Sequence, residues 1–167
     1  MCSRRIAAVR TVYKPAQTRV PVLLRSMTIP NKPFTETLRI KTSRRTQWVN
    51  ITAEVGRFIA RSGVSAGVCH IYCPHTTAGI TINEGYDPDV ASDMEIAFDR
   101  MVPRDAGYHH AEGNSDSHIK ATMVGSSQTA GIEGGRLRLG RWQAVFFCEF
   151  DGPRSREVFL KIVADLA

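Results

Sequence analysis

The stretch Val68–Val90, VCHIYCPHTTAGITINEGYDPDV, contains the pattern that decides the fold. Two apolar runs rich in β-branched residues, 68–73 and 79–82, are typical of β-strands. Asp87-Pro-Asp89 then predicts a helix start, because Asp can cap the helix, Pro fits its first position and a second acid favours the helix dipole. Strands and helices are therefore expected to alternate along the chain.

Similar patterns continue on both sides of this stretch. Further strands are predicted at 34–40, 137–139, 142–150 and 157–163, and further helices at 52–61 and 116–124. Because strands dominate and helices lie between only some of them, the sequence predicts an α+β fold. We expect a largely antiparallel β-sheet or sandwich with a few helices, in a single compact domain over residues 34–167.

Several residues are expected to define the helices. Thr52 is predicted to cap the first helix, and Gly63 to end it. Gly125 is predicted to close the helix at 116–124, and a turn is expected over Gly131–Gly135. The helix after Asp87 is predicted to bury one side, made of Val90, Met94, Ala97, Phe98 and Met101.

Composition bounds the class of protein. The chain has 167 residues, of which 43% are hydrophobic, enough to form a core. No apolar run approaches the roughly 20 residues that cross a bilayer, so no membrane contact is predicted. The net charge of +6 comes from six basic residues before Met27, where no acidic residue occurs. A domain of zero formal charge argues against a nucleic-acid partner.

Residues 1–33 are interpreted as a basic N-terminal extension. Three explanations remain open: a disordered tail, a start codon placed upstream of a true start at Met27, or an organelle transit segment, since such segments are rich in Arg and poor in acids. The first two are favoured, which predicts a cytoplasmic protein, with organelle targeting as the alternative. Cys69, Cys73 and Cys148 lie in apolar runs and are predicted to be reduced core residues.

Three histidines are predicted to carry the chemistry: His75, His110 and His118. His75 ends an apolar strand, and the other two lie in a polar loop that leads into a helix. Neutral imidazoles suit Zn²⁺ or another divalent metal, a helix start favours a phosphate, and a histidine can also move a proton. His70, inside a strand, is assigned a structural role, and His109 is a lower-ranked alternative to His110.

Other polar residues flank these histidines in the sequence. Asn83 and Glu84 follow the second strand, with helix capping as the simpler interpretation. Asn114 and Asp116 stand between His110 and His118. Arg141 can pair with a phosphate, and Trp142 either stacks on a ligand or packs in the core.

Taken together, three motifs resemble the YjbQ-like family, often labelled secondary thiamine-phosphate synthase. They are HTTAGITINE (75–84) with Asp87, Tyr108-x-His110 with the segment 114–118, and Gly140-x-Trp-Gln143, which a serine pair and a glycine turn precede. The resemblance covers roughly residues 34–165. Arg141 departs from the family pattern, which usually has threonine there, and this change predicts a different or more anionic ligand.

The resemblance implies a homotrimer in which the three histidines meet in one site. It also implies an enzyme of the thiamine-phosphate-synthase type, joining a hydroxymethylpyrimidine diphosphate to a thiazole phosphate, with Mg²⁺ as a companion of the diphosphate. The alternatives are a non-catalytic homotrimer that binds a metal or phosphate ligand and an enzyme that acts on another phosphorylated substrate. A small phosphorylated molecule is the predicted partner besides a second copy of the chain.

Roles follow from the motif positions. The catalytic residues expected are His75, His110, His118, Glu84 and Asp116, and the same three histidines are the expected metal ligands. The residues expected to bind substrate are Thr76, Thr77, Asn83, Asn114, Arg141, Trp142 and Gln143.

Overall fold

Eight strands and three helices form along residues 34–166, which the computed structural model describes. In chain order they are β1 (Phe34–Lys41), β2 (Gln47–Asn50), α1 (Thr52–Ser62), β3 (Ala66–Tyr72), β4 (Ala78–Glu84), α2 (Pro88–Met101), α3 (Ser115–Val124), β5 (Ser127–Glu133), β6 (Arg136–Arg138), β7 (Gln143–Glu149) and β8 (Ser155–Ala164). The predicted extension at residues 1–33 lies outside the described residues.

The strands form two antiparallel sheets. The larger has five strands in the order β1-β8-β3-β5-β6, and the smaller has three in the order β2-β7-β4. Non-local pairing dominates, since β8, the last strand, lies between β1 and β3. The α+β fold with antiparallel sheets in a single compact domain is confirmed.

The three-stranded sheet is buried on both faces. On one face Val145 and Phe147 of β7 join a core shared with the five-stranded sheet and α1. On the other face Phe146 and Cys148 pack with Phe150 and with Ala121 of α3. Continuous burial along β7 follows from this position between two layers, because both sets of alternating side chains meet apolar neighbours.

The five-stranded sheet buries only one of its faces. Along β3 and β8 the buried side chains alternate with exposed ones, as expected for a sheet with one face on the core. We call the uncovered side the outer face. The larger side chains on it include Arg39, Lys41, Val68, His70, Tyr72, Glu157, Phe159, Lys161 and Val163.

Most predicted helix signals are confirmed. The Asp87 carboxylate accepts a hydrogen bond from the Asp89 N–H at 2.9 Å, and Pro88 follows as the first helical residue. Gly63 ends α1 with a φ of 71°, in the left-handed region that suits glycine. Gly125 closes α3 as predicted, through a hydrogen bond from its N–H to Ala121 O.

Two predictions about the helices are wrong. Thr52 does not cap α1: it is the first helical residue, after Ile51 at the N-cap position, and no side chain caps the helix. The Thr52 hydroxyl instead donates to Asn50 Oδ1 and accepts from the Val145 N–H. In α2 only Phe98 of the predicted apolar side is buried, and Met101 is 60% exposed. The helix contacts the small sheet mainly at β2, and Val90, Met94 and Ala97 are therefore only half-buried.

Two strands were not predicted from the sequence. Residues 47–50 form β2, and residues 127–133 form β5, which shortens the expected turn over 131–135 to the glycine pair Gly134-Gly135. Cys69, Cys73 and Cys148 are free and buried, as predicted. Among the described residues, no helix has the length and apolar character that crossing a membrane requires.

Candidate functional site

The first candidate site is a cavity of about 520 Å³ beside His75, which we call the His75 pocket. His75 lies in the loop between β3 and β4, where two apolar strands end and a polar sequence begins. The ends of β1 and β8 form the rest of the wall. The lining residues are Arg39, Ile40, Lys41, His75, Ser155, Arg156 and Glu157.

A backbone hydrogen bond fixes the His75 ring. The N–H of Glu157 donates to His75 Nε2 at 2.9 Å. Nε2 is therefore the unprotonated nitrogen, and the neutral ring carries its proton on Nδ1. The His75 pocket thus presents an imidazole in one defined tautomer, with Nδ1 available as a hydrogen-bond donor.

The surroundings also keep this ring neutral. Burial lowers the pKa of His75, and the positive charge of Arg156 lowers it further. Protonation of Nε2 would set its N–H against the N–H of Glu157 and lose that hydrogen bond. His75 is consequently a neutral donor rather than a cation at physiological pH.

Behind His75 lies a buried ion pair. The guanidinium of Arg156 donates to both carboxylate oxygens of Glu149, at 2.7 and 2.6 Å, and also to the Thr77 hydroxyl at 2.8 Å. The Arg156 and Glu149 side chains are 8% and 0% exposed. Thr77, predicted to contact substrate, is itself buried, and its hydroxyl accepts a hydrogen bond from Arg156.

A hydrogen-bond network continues from this pair to the start of α3. The Thr42 hydroxyl donates to Glu149 and also accepts a hydrogen bond from the backbone N–H of Arg154, whose side chain donates to Asp151 at 2.7 Å. Asp151 also accepts from the side-chain amide of Asn114 at 3.1 Å. Burial alone would raise the pKa of Asp151, but the hydrogen bonds from Asn114 and Arg154 lower it.

Asp116 lies in the same network and is 1% exposed. One carboxylate oxygen accepts from Arg45 at 2.8 Å, and the other accepts from Lys120 at 3.1 Å. Both oxygens are thus engaged by cations inside the protein. Asp116, predicted as a catalytic residue, is placed here as an ion-pair partner that anchors the first turn of α3.

The second candidate site contains His110 and His118. Their ring centroids are 5.4 Å apart in an edge-to-face arrangement, and His110 Nε2 is 3.9 Å from Glu112. They line an open cavity of about 500 Å³. The other lining residues are Gly107, Tyr108, His109, Ser115 and Ile119.

The third group lies at the far end of β4, and we call it the Trp142 end: Asn83, Glu84, Tyr86, Arg141, Trp142 and Gln143. Glu84 of β4 is paired with Gln143 of β7, and the Gly85 N–H donates to the Trp142 carbonyl. Trp142 is 52% exposed, so it does not pack in the core of the single chain. Its ring centroid is 5.9 Å from that of Tyr86, which is 83% exposed.

A single chain therefore separates residues that the sequence placed in one site. His75 precedes β4 and Glu84 ends it, and the strand between them spans roughly 20 Å at about 3.4 Å per residue. His110 and His118 share a cavity, but His75 lines a different one. The convergence of three histidines is not found within one chain.

The predicted metal site does not fit these residues. Within residues 34–166 no three His, Cys, Asp or Glu side chains lie close enough to hold an ion. A histidine that binds a metal normally donates its second N–H to an acceptor, whereas the second nitrogen of His75 already accepts from Glu157. The prediction of metal binding by His75, His110 and His118 is therefore not supported, because their positions and the His75 tautomer oppose it.

Sequence reasoning missed Arg156, Glu149 and Lys41. A usable signal was present for the first two. Arg156 occupies the inward phase of β8, in line with Val158, Leu160 and Ile162, and Glu149 ends an otherwise apolar strand. A charged side chain on the core side of a strand needs a buried partner of opposite charge, so the pattern could have indicated that Arg156 and Glu149 pair with each other.

Comparison with known proteins gives a consistent picture. Residues 36–165 match the sequence model of the family described as UPF0047 protein YjbQ-like. The UPF0047 protein YugU of Bacillus subtilis is 50% identical over 129 residues, which cover 77% of this chain and 98% of the relative. A UPF0047 protein of Methanocaldococcus jannaschii is 49% identical over 127 residues, 76% of this chain and 92% of the relative.

Solved structures show the same fold. A YjbQ/UPF0047 protein of Clostridium acetobutylicum, described as uncharacterised, has a TM-score of 0.76 at 51% identity and covers 77% of this chain and 99% of its own. A YbjQ-like protein of Sulfolobus solfataricus, described as of unknown function, has a TM-score of 0.77 at 28% identity and covers 80% of this chain and 99% of its own.

These findings correct the predicted activity. The similar proteins carry no description of thiamine-phosphate synthesis, and those solved as structures are described as uncharacterised or of unknown function. The single three-histidine site of the prediction does not form within one chain, and residues 34–166 contain no group of His, Cys, Asp or Glu that could hold a metal ion. The prediction of a thiamine-phosphate-synthase-type transferase is therefore wrong.

Proposed function

Because this chain belongs to the UPF0047 YjbQ-like family, whose name states no activity, we propose a function from the site itself: the His75 pocket binds a small anionic molecule. The observation that carries this proposal is the hydrogen bond from the Glu157 N–H to His75 Nε2. It leaves His75 as a neutral donor of fixed orientation, and hydrogen-bond donors are what an anionic oxygen needs.

Cations around the ring support an anion. Lys41 makes no ion pair within residues 34–166, so its ammonium group is free to bind a ligand. Arg39 pairs only loosely with Glu157, at 3.8 Å and with both side chains largely exposed, and such a pair contributes little stability. An incoming phosphate or carboxylate can therefore recruit both cations without breaking a strong interaction.

The size of the His75 pocket fits a small molecule. Its volume of about 520 Å³ lies within the range of roughly 300–1,000 Å³ found for ligand sites. A phosphate group is the anion we favour, because the guanidinium of Arg39 and the ammonium of Lys41 line the pocket and both groups bind phosphate oxygens. Whether Mg²⁺ accompanies it stays a prediction.

We also propose that the chain self-associates as the homotrimer that the family resemblance implies. In support, the outer face of the five-stranded sheet exposes four large apolar side chains, Val68, Tyr72, Phe159 and Val163. Their exposed fractions range from 38% to 52%. Exposed apolar side chains gathered on one sheet face favour a contact with another chain.

Anion binding is tested by titrating the protein with inorganic phosphate and recording histidine and backbone NMR shifts. We expect shifts at His75, and a loss of affinity of about tenfold in Lys41→Ala and in His75→Ala, since each removes one charged or polar contact. His109→Ala is the matched control, because it removes an exposed histidine from a different cavity.

Acetate and citrate provide the comparison between anion classes. Saturable binding of phosphate with weaker binding of the carboxylates supports a phosphorylated ligand, and the reverse order supports a carboxylic acid. Phosphate shifts that are absent from His75, or equally reduced by His109→Ala, would contradict the proposal.

A further inference from the structure

We propose that the ligand of the His75 pocket is zwitterionic: a phosphate monoester whose short alkyl chain carries an ammonium group, which Glu157 binds. This inference rests on the anion binding proposed above and names the substrate class of the same site. Phosphorylated amino alcohols are the simplest molecules of this class.

The wall of the His75 pocket contains one acidic group among its donors. The charged side chains that line it are Arg39, Lys41, Arg156 and Glu157. Glu157 is therefore the only carboxylate in the wall, whereas the neutral ring of His75 offers a hydrogen-bond donor. A phosphate group gains nothing from a carboxylate, because two anions repel each other. The presence of Glu157 indicates that another part of the ligand supplies a positive charge.

The strand register places Glu157 between the groups that favour an anion. Glu157 is directly opposite Arg39 of β1, and on the other side its backbone N–H donates to His75 Nε2 at 2.9 Å. Lys41 is opposite Ser155, two residues further along the same face, so it lies roughly 7 Å from the Arg39–Glu157 pair. One small molecule can consequently reach both the cations and the carboxylate.

Glu157 loses its ion-pair partner when an anion binds. Within residues 34–166 Arg39 is the only cation paired with Glu157, at 3.8 Å. An anion that recruits Arg39 draws the guanidinium away from this carboxylate, which is 46% exposed. An ammonium group on the ligand then replaces Arg39 as the partner of Glu157.

The charge balance of the pocket selects an ammonium group over a neutral one. The charge of Arg156 is already matched by Glu149, because its guanidinium donates to both carboxylate oxygens. Arg39 and Lys41 carry two positive charges and Glu157 one negative charge, which leaves a net charge of +1 in the wall. A phosphate monoester brings about two negative charges at pH 8. One ammonium group on the ligand therefore makes the complex neutral.

Two matched ligands isolate the contribution of the ammonium group. Phosphoethanolamine and propyl phosphate have chains of the same length, and an ammonium group in the first replaces a methyl group in the second. Calorimetric titration at about pH 8 measures both affinities. We expect the wild type to bind phosphoethanolamine about tenfold more tightly, because a hydrogen bond between two charged groups is stronger than a neutral one, although partial exposure of Glu157 weakens it. Added salt should reduce this preference.

Glu157→Gln is the variant that tests the assigned residue. It removes the carboxylate but keeps the backbone N–H that orients His75. The two ligands should then bind within about twofold of each other, and propyl phosphate should bind at least as tightly as to the wild type, because Arg39 is released. Histidine NMR shifts at His75 report that both ligands occupy the pocket, and circular dichroism reports that the variant is folded.

Glu133→Gln is the matched control variant. Glu133 is also an exposed strand carboxylate beside a single arginine, since it lies 3.3 Å from Arg138, but it does not line the His75 pocket. This variant should keep the tenfold preference for phosphoethanolamine. Equal loss of the preference in Glu133→Gln would mean that the overall charge of the protein, and not Glu157, causes it, which overturns the inference.

The remaining outcomes separate this inference from the proposed anion binding. Absence of His75 shifts with inorganic phosphate and with propyl phosphate would overturn both. Saturable binding of propyl phosphate with no tighter binding of phosphoethanolamine, or a preference that persists in Glu157→Gln, would overturn the zwitterionic ligand and leave the anion site intact. Hydroxyethyl phosphate is the third ligand. If it binds the wild type as tightly as phosphoethanolamine does, Glu157 accepts from a neutral hydroxyl group and the assignment of an ammonium group is wrong.

Discussion

The guanidinium of Arg156 binds both carboxylate oxygens of Glu149, at 2.6 and 2.7 Å, in a position where the side chains are 8% and 0% exposed. Glu149 also accepts the N–H groups of Phe150 and Asp151 and the hydroxyl of Thr42. A buried charge pair is favourable only when its remaining hydrogen bonds are made, and here they are. This pair connects the His75 loop with the end of β7.

Glu149→Gln is predicted to lower the free energy of unfolding by about 3–5 kcal/mol, because it leaves the Arg156 charge buried without its counter-ion. Urea unfolding followed by circular dichroism measures the change. The double variant Glu149→Leu/Arg156→Met should lose much less than the sum of its single variants, since it removes both charges.

The exposed pair Glu54–Arg57 is the control for this prediction. Its nitrogen and oxygen are 2.7 Å apart, but the side chains are 43% and 61% exposed. Glu54→Gln should change the unfolding free energy by less than about 0.5 kcal/mol. If Glu149→Gln were equally mild, the buried pair would not have the role assigned to it.

His75 predicts a loss of stability in mild acid. Burial and Arg156 lower the pKa of His75 in the folded protein, whereas the unfolded chain has a pKa of about 6.5. Below that value the unfolded state binds more protons than the folded state, so the contribution of His75 is present above about pH 6.5 and is lost as the pH falls.

His75→Gln is the variant that isolates this effect, because its side-chain oxygen can still accept from the Glu157 N–H while the group no longer titrates. Denaturant unfolding between about pH 7.5 and 5.5 should show a smaller decline in His75→Gln than in the wild type. His109→Gln serves as the matched replacement of an exposed histidine. Identical declines in His75→Gln and the wild type would mean that His75 does not titrate differently in the two states.

Removal of residues 1–26 is predicted to leave the thermal midpoint of unfolding unchanged. This segment is basic, shows little apolar periodicity and lies outside the family match at residues 36–165. Differential scanning calorimetry of a chain that starts at Met27 measures the effect. A drop of several degrees would show that the segment packs on the domain.

Local patterns predicted the elements that depend on local interactions. The helix after Asp87 is recognisable because its cap, its proline and its acidic first turn are neighbours in the sequence. β2 has only four residues, and β5 reads SQTAGIE, so neither shows a clear alternation of its own. These strands form because β7 and β3, distant in sequence, offer them edges to pair with.

The same distinction holds for the candidate site. His75, Asn114 and Asp116 could be singled out because polar residues at strand and helix ends are visible in the sequence. The distance between His75 and the other predicted site residues could not be predicted, because it depends on the length of β4 and on which strands become neighbours. Arg156 and Lys41, which define the chemistry of the His75 pocket, come from the first and last strands of the described fold.

The three core cysteines are predicted to be unreactive in the folded protein. Burial raises the pKa of both Cys69 and Cys73 to about 11, and it raises the pKa of Cys148 well above its usual range. Since the thiolate is the reactive form, only about one thiol in a thousand at pKa 11 is ionised at pH 8, and all three side chains lie in the core. Alkylation therefore requires the structure to open.

In a chain with Cys2 replaced by Ser, iodoacetamide at about pH 8 should label none of the three core cysteines within minutes, whereas urea should make all three react. Glu149→Gln is expected to lower the free energy of unfolding, so it should accelerate labelling in the absence of urea. Fast labelling of Cys73 in the wild type would instead show that the loop carrying His75 opens on its own, without the unfolding that exposes Cys148.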